Sequence, residues 1–179
     1  TDSPYAWIID PLDGTRNYIT GIPHFCTTIA LSKNGVVLFG ITYDPIRKEK
    51  FSSQKGLGAF LNQSLLSVSK KQDLKSSILG LDIGYYAAHA AAATKLVKDF
   101  QYQTQAIRIL GSAALGLAYA ASGRLDIYCH FSLESWDRAA GILFIQEAGG
   151  MATDIQLAPA DLNSKSVLVS NSILHRLFA

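Results

Sequence analysis

From residue 76 onward, short apolar runs of strand length alternate with longer stretches of helix length. Residues 76–81 read as a strand and 85–100 as an Ala-rich helix. Residues 106–110 read as a strand and 112–121 as a helix, with Gly123 as its C′ residue. Residues 125–128 form the next strand, 135–148 a helix ending at Gly149-Gly150, and 167–169 a last strand before a helix from Asn171. Such alternation requires an α/β layer structure, because each amphipathic helix must bury its apolar face on a sheet. The first seventy residues differ and read as β-rich. Residues 5–9 are an apolar run expected to be a buried strand stopping at Asp10-Pro11. Residues 26–31 and 36–43 flank Lys33-Asn34-Gly35, a hairpin signal, and 46–52 form a third strand. Gly56, Gly58 and Asn62 mark turns. A boundary near residues 70–75 divides a β-rich unit, 1–72, from an α/β unit, 73–179.

Composition narrows the class. Of 179 residues, 16 are Lys or Arg and 14 Asp or Glu, 17% in all, while 49% are hydrophobic. An average soluble chain of this length has about 15 more charges. Intrinsic disorder is excluded, since it needs low hydrophobicity and high net charge. The net charge of +2 gives no electrostatic reason for a nucleic-acid or membrane partner. No apolar run approaches the roughly 18 residues of a membrane span. Cys26 and Cys129 lie in no CxxC or Cys/His cluster, and read as reduced packing cysteines of a reducing, cytoplasmic compartment. Thr1-Asp2-Ser3-Pro4 carries no signal-peptide features, and the chain reads as starting inside a loop of something longer.

The chemistry is concentrated in two acidic elements. In Trp7-Ile8-Ile9-Asp10-Pro11-Leu12-Asp13-Gly14-Thr15, two carboxylates stand at the end of a strand, where α/β sheets bind ligands. Two such charges about 4 Å apart repel by roughly 4 kcal/mol at an effective dielectric of 20. A cation between them removes that penalty. Oxygen donors without His or Cys select Mg²⁺, Mn²⁺ or Ca²⁺, and the Leu12 carbonyl offers another oxygen. Gly14 and the short helix expected over 16–20 supply backbone N–H groups for an anion. The Thr15 hydroxyl can cap that helix or hold a water. The bland alternative is a turn at Asp13-Gly14 with Asp10 as a cap. In Glu134-Ser135-Trp136-Asp137, Ser135 is the expected N-cap. Asp137 then sits in the first turn, favourable with the helix dipole, or projects toward Asp10 and Asp13.

Together, Trp-Ile-Ile-Asp-Pro-Leu-Asp-Gly-Thr, the distant Trp-Asp-x-x-Ala-Gly and the closing Glu147-Ala148-Gly149-Gly150 resemble the inositol monophosphatase family. Gly111-Ser112-Ala113-Ala114 resembles the family's substrate-side segment. The resemblance implies a layered αβαβα sandwich of the inositol monophosphatase and fructose-1,6-bisphosphatase type, here without its N-terminal helical layer. It implies a lithium-sensitive, cytoplasmic, homodimeric phosphatase that uses two or three Mg²⁺ ions, with Mn²⁺ as an alternative. The substrate is then a small phosphomonoester, an inositol monophosphate or related sugar phosphate, hydrolysed by metal-activated water. Asp10, Leu12, Asp13 and Asp137 are the implied metal ligands, and Asp10, Asp13, Thr15 and Asp137 the catalytic set. Gly14, Thr15, Ala113 and His130 are the implied phosphate and substrate contacts.

Two departures bear on function. The family's upstream Gly-Glu-Glu segment is absent, so the chain is expected to be a poorly active fragment. The low charge then reflects apolar faces meant for the missing layer or a dimer partner. The family's substrate-binding Glu, seven residues before the Trp-Asp aspartate, is replaced by His130. Fructose-1,6-bisphosphatase and 3′(2′),5′-bisphosphate nucleotidase are alternative readings within the fold, and a non-catalytic regulatory binding protein is the alternative of another class. Lys70-Lys71 and Arg47-Lys48 read as solvated basic pairs.

Overall fold

A computed structural model describes residues 3–84 and 86–178. The first half forms a six-stranded antiparallel meander. Its strands are β1 (Tyr5–Asp13), β2 (Cys26–Lys33), β3 (Val36–Asp44), β4 (Glu49–Gln54), β5 (Ala59–Leu61) and β6 (Ser64–Leu65), paired in sequence order. A short helix, α1 (Thr15–Ile19), links β1 to β2. The β2–β3 turn is the expected hairpin, with Asn34 and Gly35 both at positive φ. β4 starts three residues later than the sequence reading because Lys48 adopts φ 54° within a turn.

The second half forms a five-stranded mixed sheet in the order β10-β11-β9-β7-β8. Its strands are β7 (Ile78–Leu81), β8 (Ala106–Ile109), β9 (Ile127–His130), β10 (Met151–Thr153) and β11 (Val167–Ser170). The helices are α2 (Ala87–Phe100), α3 (Ala113–Ala121), α4 (Ser135–Glu147) and α5 (Ser172–Phe178). Tyr85, in the sequence-predicted start of α2, lies outside the described residues.

Helices α3 and α4 pack on each other between the two sheets. The main core joins Ala30 and Phe51 of the first sheet to Leu115, Leu117, Ala140 and Phe144 of these helices and to Tyr128, Val167 and Val169 of the second. The period-2 alternation of β9 and β11 sends Ile127, Cys129 and Leu168 to the opposite face, where they meet α2 and α5. The order is therefore sheet, helix pair, sheet, helix pair, a layered α/β sandwich. The outer face of the first sheet carries no helix among the described residues.

Two sequence expectations change, and Glu147 gains a structural role. β1 is not buried: it is an edge strand, with Trp7 63% and Ile9 51% exposed on its outer face, and it continues to Asp13. The basic pairs are not simply solvated. Arg47 donates to the buried Asp44 at 2.8 Å, and Lys71 to the buried Asp126 at 3.0 Å. Glu147 serves the fold, accepting from the backbone N–H groups of Gly56 (2.7 Å) and Gly58 (2.9 Å) in the β4–β5 turn. Both cysteines are free and buried.

Candidate active site

Four strand ends converge on one cavity of about 550 Å³. β1 delivers Asp10, Leu12 and Asp13; β7 leads to Asp82 and Gly84; β8 leads to Ile109 and Gly111; β9 leads to His130 and Ser132. Carboxyl ends of strands are the usual ligand side of such sheets.

Asp10 and Asp13 are three residues apart, so regular strand geometry would point them to opposite faces. A β-bulge prevents this. Asp10 pairs with Thr28 and Asp13 with Cys26, so three steps on β1 match two on β2. Thr28 and Cys26 are both buried inward, and the two carboxylates share that face. The Leu12 N–H donates to Asp10 Oδ1 at 3.0 Å, which closes the bulge as an Asx turn.

Asp137 arrives from α4. The N-cap is Glu134 rather than Ser135, so Asp137 is at position N3 of a capping box, and its Oδ2 accepts from the Glu134 N–H at 2.8 Å. The capping and the converging roles coexist in one side chain. Asp10, Asp13 and Asp137 each offer an oxygen, all within 4.8 Å of one another. Glu134 is not a member of that cluster; its carboxylate accepts at the helix start and lies 3.7 Å from Lys165 Nζ.

The cluster is electrostatically strained as a bare anion. Burial, with Asp137 and Asp10 adding to it, pushes the Asp13 carboxyl up to about 6, against the opposing hydrogen bonds from Ser112 and the Ala114 N–H. Burial also raises Asp137, with Asp10 contributing. Three converging oxygens of this kind fit a hard divalent cation, whose charge would oppose the upward shifts of Asp13 and Asp137.

Gly14 has φ 84°, and a Cβ there would lie 2.9 Å from the His24 carbonyl oxygen, so only glycine fits. The Thr15 hydroxyl does not cap α1. It donates to the Leu12 carbonyl at 2.9 Å, which leaves its lone pairs for a water or ligand donor. Asn17 of α1 donates to the carbonyls of His24 and Leu110, both at 2.8 Å, and so ties this helix to the segment before α3. Gly14, Thr15, Ala113 and His130 all line the same cavity as the acids. Burial, with His89 adding to it, pushes His130 down to about 4.

Asp82 was missed by the sequence reading. It lines the cavity and accepts from the Gly111 N–H at 2.6 Å and from the Tyr128 hydroxyl at 2.7 Å. The signal was present, a carboxylate directly after an apolar strand and before Gly84. Ser112, in the sequence only one member of the Gly111-Ser112-Ala113-Ala114 segment, donates its hydroxyl to Asp13 Oδ2.

No helix among the described residues is long and apolar enough to cross a membrane. Comparison with known proteins matches the whole chain, residues 1–179, to the inositol monophosphatase family model. An inositol-1-monophosphatase of Mesorhizobium japonicum is 37% identical over 98% of this chain and 66% of its own length. A fructose-1,6-bisphosphatase/inositol-1-monophosphatase of Thermotoga maritima is 37% identical over 94% of this chain and 64% of its own. The crystal structure of the extragenic suppressor protein suhB from Bartonella henselae superposes with a TM-score of 0.94 at 35% identity, covering 99% of this chain and 68% of that one. The chain thus spans about two thirds of the length of these relatives. With the bulged acidic strand, the capping aspartate and the layered sandwich in place, the chain belongs to the inositol monophosphatase family.

Proposed function

We propose that the full-length protein hydrolyses a phosphomonoester in a Mg²⁺-dependent reaction, with an inositol monophosphate or related sugar phosphate as substrate. The convergence of Asp10, Asp13 and Asp137 from two distant segments onto one cavity carries this reading. Asp10 and the Leu12 carbonyl would hold one cation, and Asp10, Asp13 and Asp137 would hold a second. Two or three ions, with Mn²⁺ able to replace Mg²⁺, are consistent with an all-oxygen donor set. Bound cations supply charge neutralisation for the phosphoryl group and lower the pKa of water. The Gly14 and Thr15 amides bind phosphate oxygens, and Gly14 lets the backbone approach closely. The Thr15 hydroxyl, committed as a donor to Leu12, accepts from and so orients a water. Ala113 and His130 line the same cavity, and in this reading they would face the leaving alcohol.

Fructose-1,6-bisphosphate is the second substrate in this reading, favoured by the double name of the Thermotoga maritima relative. A purely binding role is less consistent with three buried or half-buried acids held against their mutual repulsion. Lithium sensitivity, a homodimer and a cytoplasmic location belong to the same proposal. The test is Asp137→Asn in the full-length protein, which should abolish Mg²⁺-dependent release of phosphate. Surviving activity would show that the acidic cluster is not the metal centre.

A further inference from the structure

The two ends of the cavity differ in chemistry. One end holds Asp10, Asp13 and Asp137. The other is built where β7, β8 and β9 end, and its rim exposes Ile83, Tyr86, Ile109 and Trp136. Among the polar side chains there, Asp82 is engaged on both oxygens, by Gly111 and Tyr128. His130, only 7% exposed, is engaged on one nitrogen. The Ser132 backbone N–H donates to His130 Nδ1 at 3.1 Å. A backbone N–H can only donate, so Nδ1 carries no proton and the neutral ring carries its proton on Nε2. No group among the described residues bonds Nε2. Gly84, without a side chain, faces the same ring edge: a Cβ there would stand 4.0 Å from His130 Cε1.

We propose that His130 is a specificity-determining residue that acts as a donor only, so that the leaving alcohol presents an acceptor oxygen, a hydroxyl or ring ether, to Nε2–H. This rests on the phosphomonoesterase reading. The Ser132 bond is what makes the ring one-sided. Turning Nε2 into an acceptor requires the other tautomer, which would set two hydrogens against each other across 3.1 Å. An ester with no oxygen beyond the phosphate, such as phenyl phosphate, gains nothing from His130. A polyol phosphate gains one hydrogen bond.

Asparagine and glutamine separate the two nitrogens. The Asn amide oxygen falls near the Nδ1 position, so His130→Asn keeps the Ser132 bond and loses the donor in the cavity. The Gln amide reaches the Nε2 position, so His130→Gln keeps the donor and loses the loop bond. The full-length protein is assayed with Mg²⁺ on myo-inositol 1-phosphate and on phenyl phosphate. His130→Asn should lower kcat/KM for the inositol ester about tenfold, mainly through KM, and lower it for phenyl phosphate by much less. His130→Gln should keep the wild-type preference between the two esters. The reverse order, or an equal loss on both esters, overturns the proposal and leaves His130 a loop anchor. Long-range ¹H–¹⁵N spectra, with the His130 signal identified by its loss in His130→Asn, read the tautomer without turnover; a protonated Nδ1 also overturns it. If wild type hydrolyses neither ester, the phosphatase reading fails. If it hydrolyses both and His130→Asn shows no selective loss, only the role of His130 fails.

Discussion

The Asp13 carboxylate accepts from the Ala114 backbone N–H at 3.0 Å, although 101 residues separate the two. The contact seats one acid of the cluster on the first turn of α3, joining the first sheet to the central helix pair. Ser112 donates to the same oxygen, Oδ2. These bonds favour the ionised carboxyl and oppose the burial that raises it.

Ser112→Ala should therefore weaken divalent-cation binding. Losing a hydrogen bond to a buried carboxylate costs about 1.5–3 kcal/mol. The Asp13 carboxyl would rise further above about 6, so more of it would be protonated at neutral pH. Calorimetric titration of the full-length protein with Mn²⁺ at pH 7 should show affinity reduced by roughly tenfold or more. Unchanged affinity would mean that Asp13 does not ligate the ion.

His130 should leave a signature in acid. Its value is depressed, to about 4, so the stability gained from a neutral ring is complete above about pH 6.5 and is lost as pH falls through 4. The loss between pH 7 and pH 4 is about 3 kcal/mol. Asp13 acts in the opposite sense, since its raised value adds stability as pH falls. Comparing wild type with His130→Asn cancels that contribution. In urea denaturation with EDTA, the advantage of wild type over His130→Asn should shrink as pH drops from 7 to 4; a constant difference would refute the assignment.

Arg138 is 1% exposed and donates to three carbonyls, Leu133 at 2.5 Å, Asp161 at 3.2 Å and Leu162 at 2.7 Å. No carboxylate pairs with it within ion-pair distance among the described residues. Arg138→Met keeps much of the side chain's bulk but strands those carbonyls, at about 3 kcal/mol in total. Because Leu133 precedes the α4 N-cap, Asp137 should also become less ordered. Guanidinium denaturation measures the first effect, and cation titration the second.

At Gly141 the α4 backbone lies close against Leu117 of α3. A Cβ there would stand 2.5 Å from the Leu117 Cβ. Alanine improves helix propensity by about 1 kcal/mol, yet overpacking costs about 1–3 kcal/mol. Gly141→Ala should come out destabilising, with a lower thermal midpoint. A midpoint equal to or above wild type would show that the helix pair can spread at no expense.

Much of the site was legible because its ingredients are local. Asp13-Gly14-Thr15 needs a left-handed glycine followed by a short helix, and Glu147-Ala148-Gly149 needs a helix end, wherever they sit in a fold. Local signals failed where neighbours from elsewhere decide. Ser135 has the better intrinsic capping chemistry, but Glu134 occupies the cap because Arg138 and Lys165 hold the Leu133 backbone ahead of it. Residues 5–9 are apolar enough for a buried strand, but burial depends on a covering layer that hydrophobicity cannot report.

The sequence by itself determined the alternation of strands and helices, and therefore the α/β layers. It also determined the three acids and the glycine and threonine that accompany them. Tertiary structure alone decided that these residues form one site. A spacing of three in a strand separates Asp10 from Asp13, and the bulge against Thr28 and Cys26 reunites them. Asp137 joins them because the helix pair is wedged between two sheets, a long-range packing constraint written in no single segment.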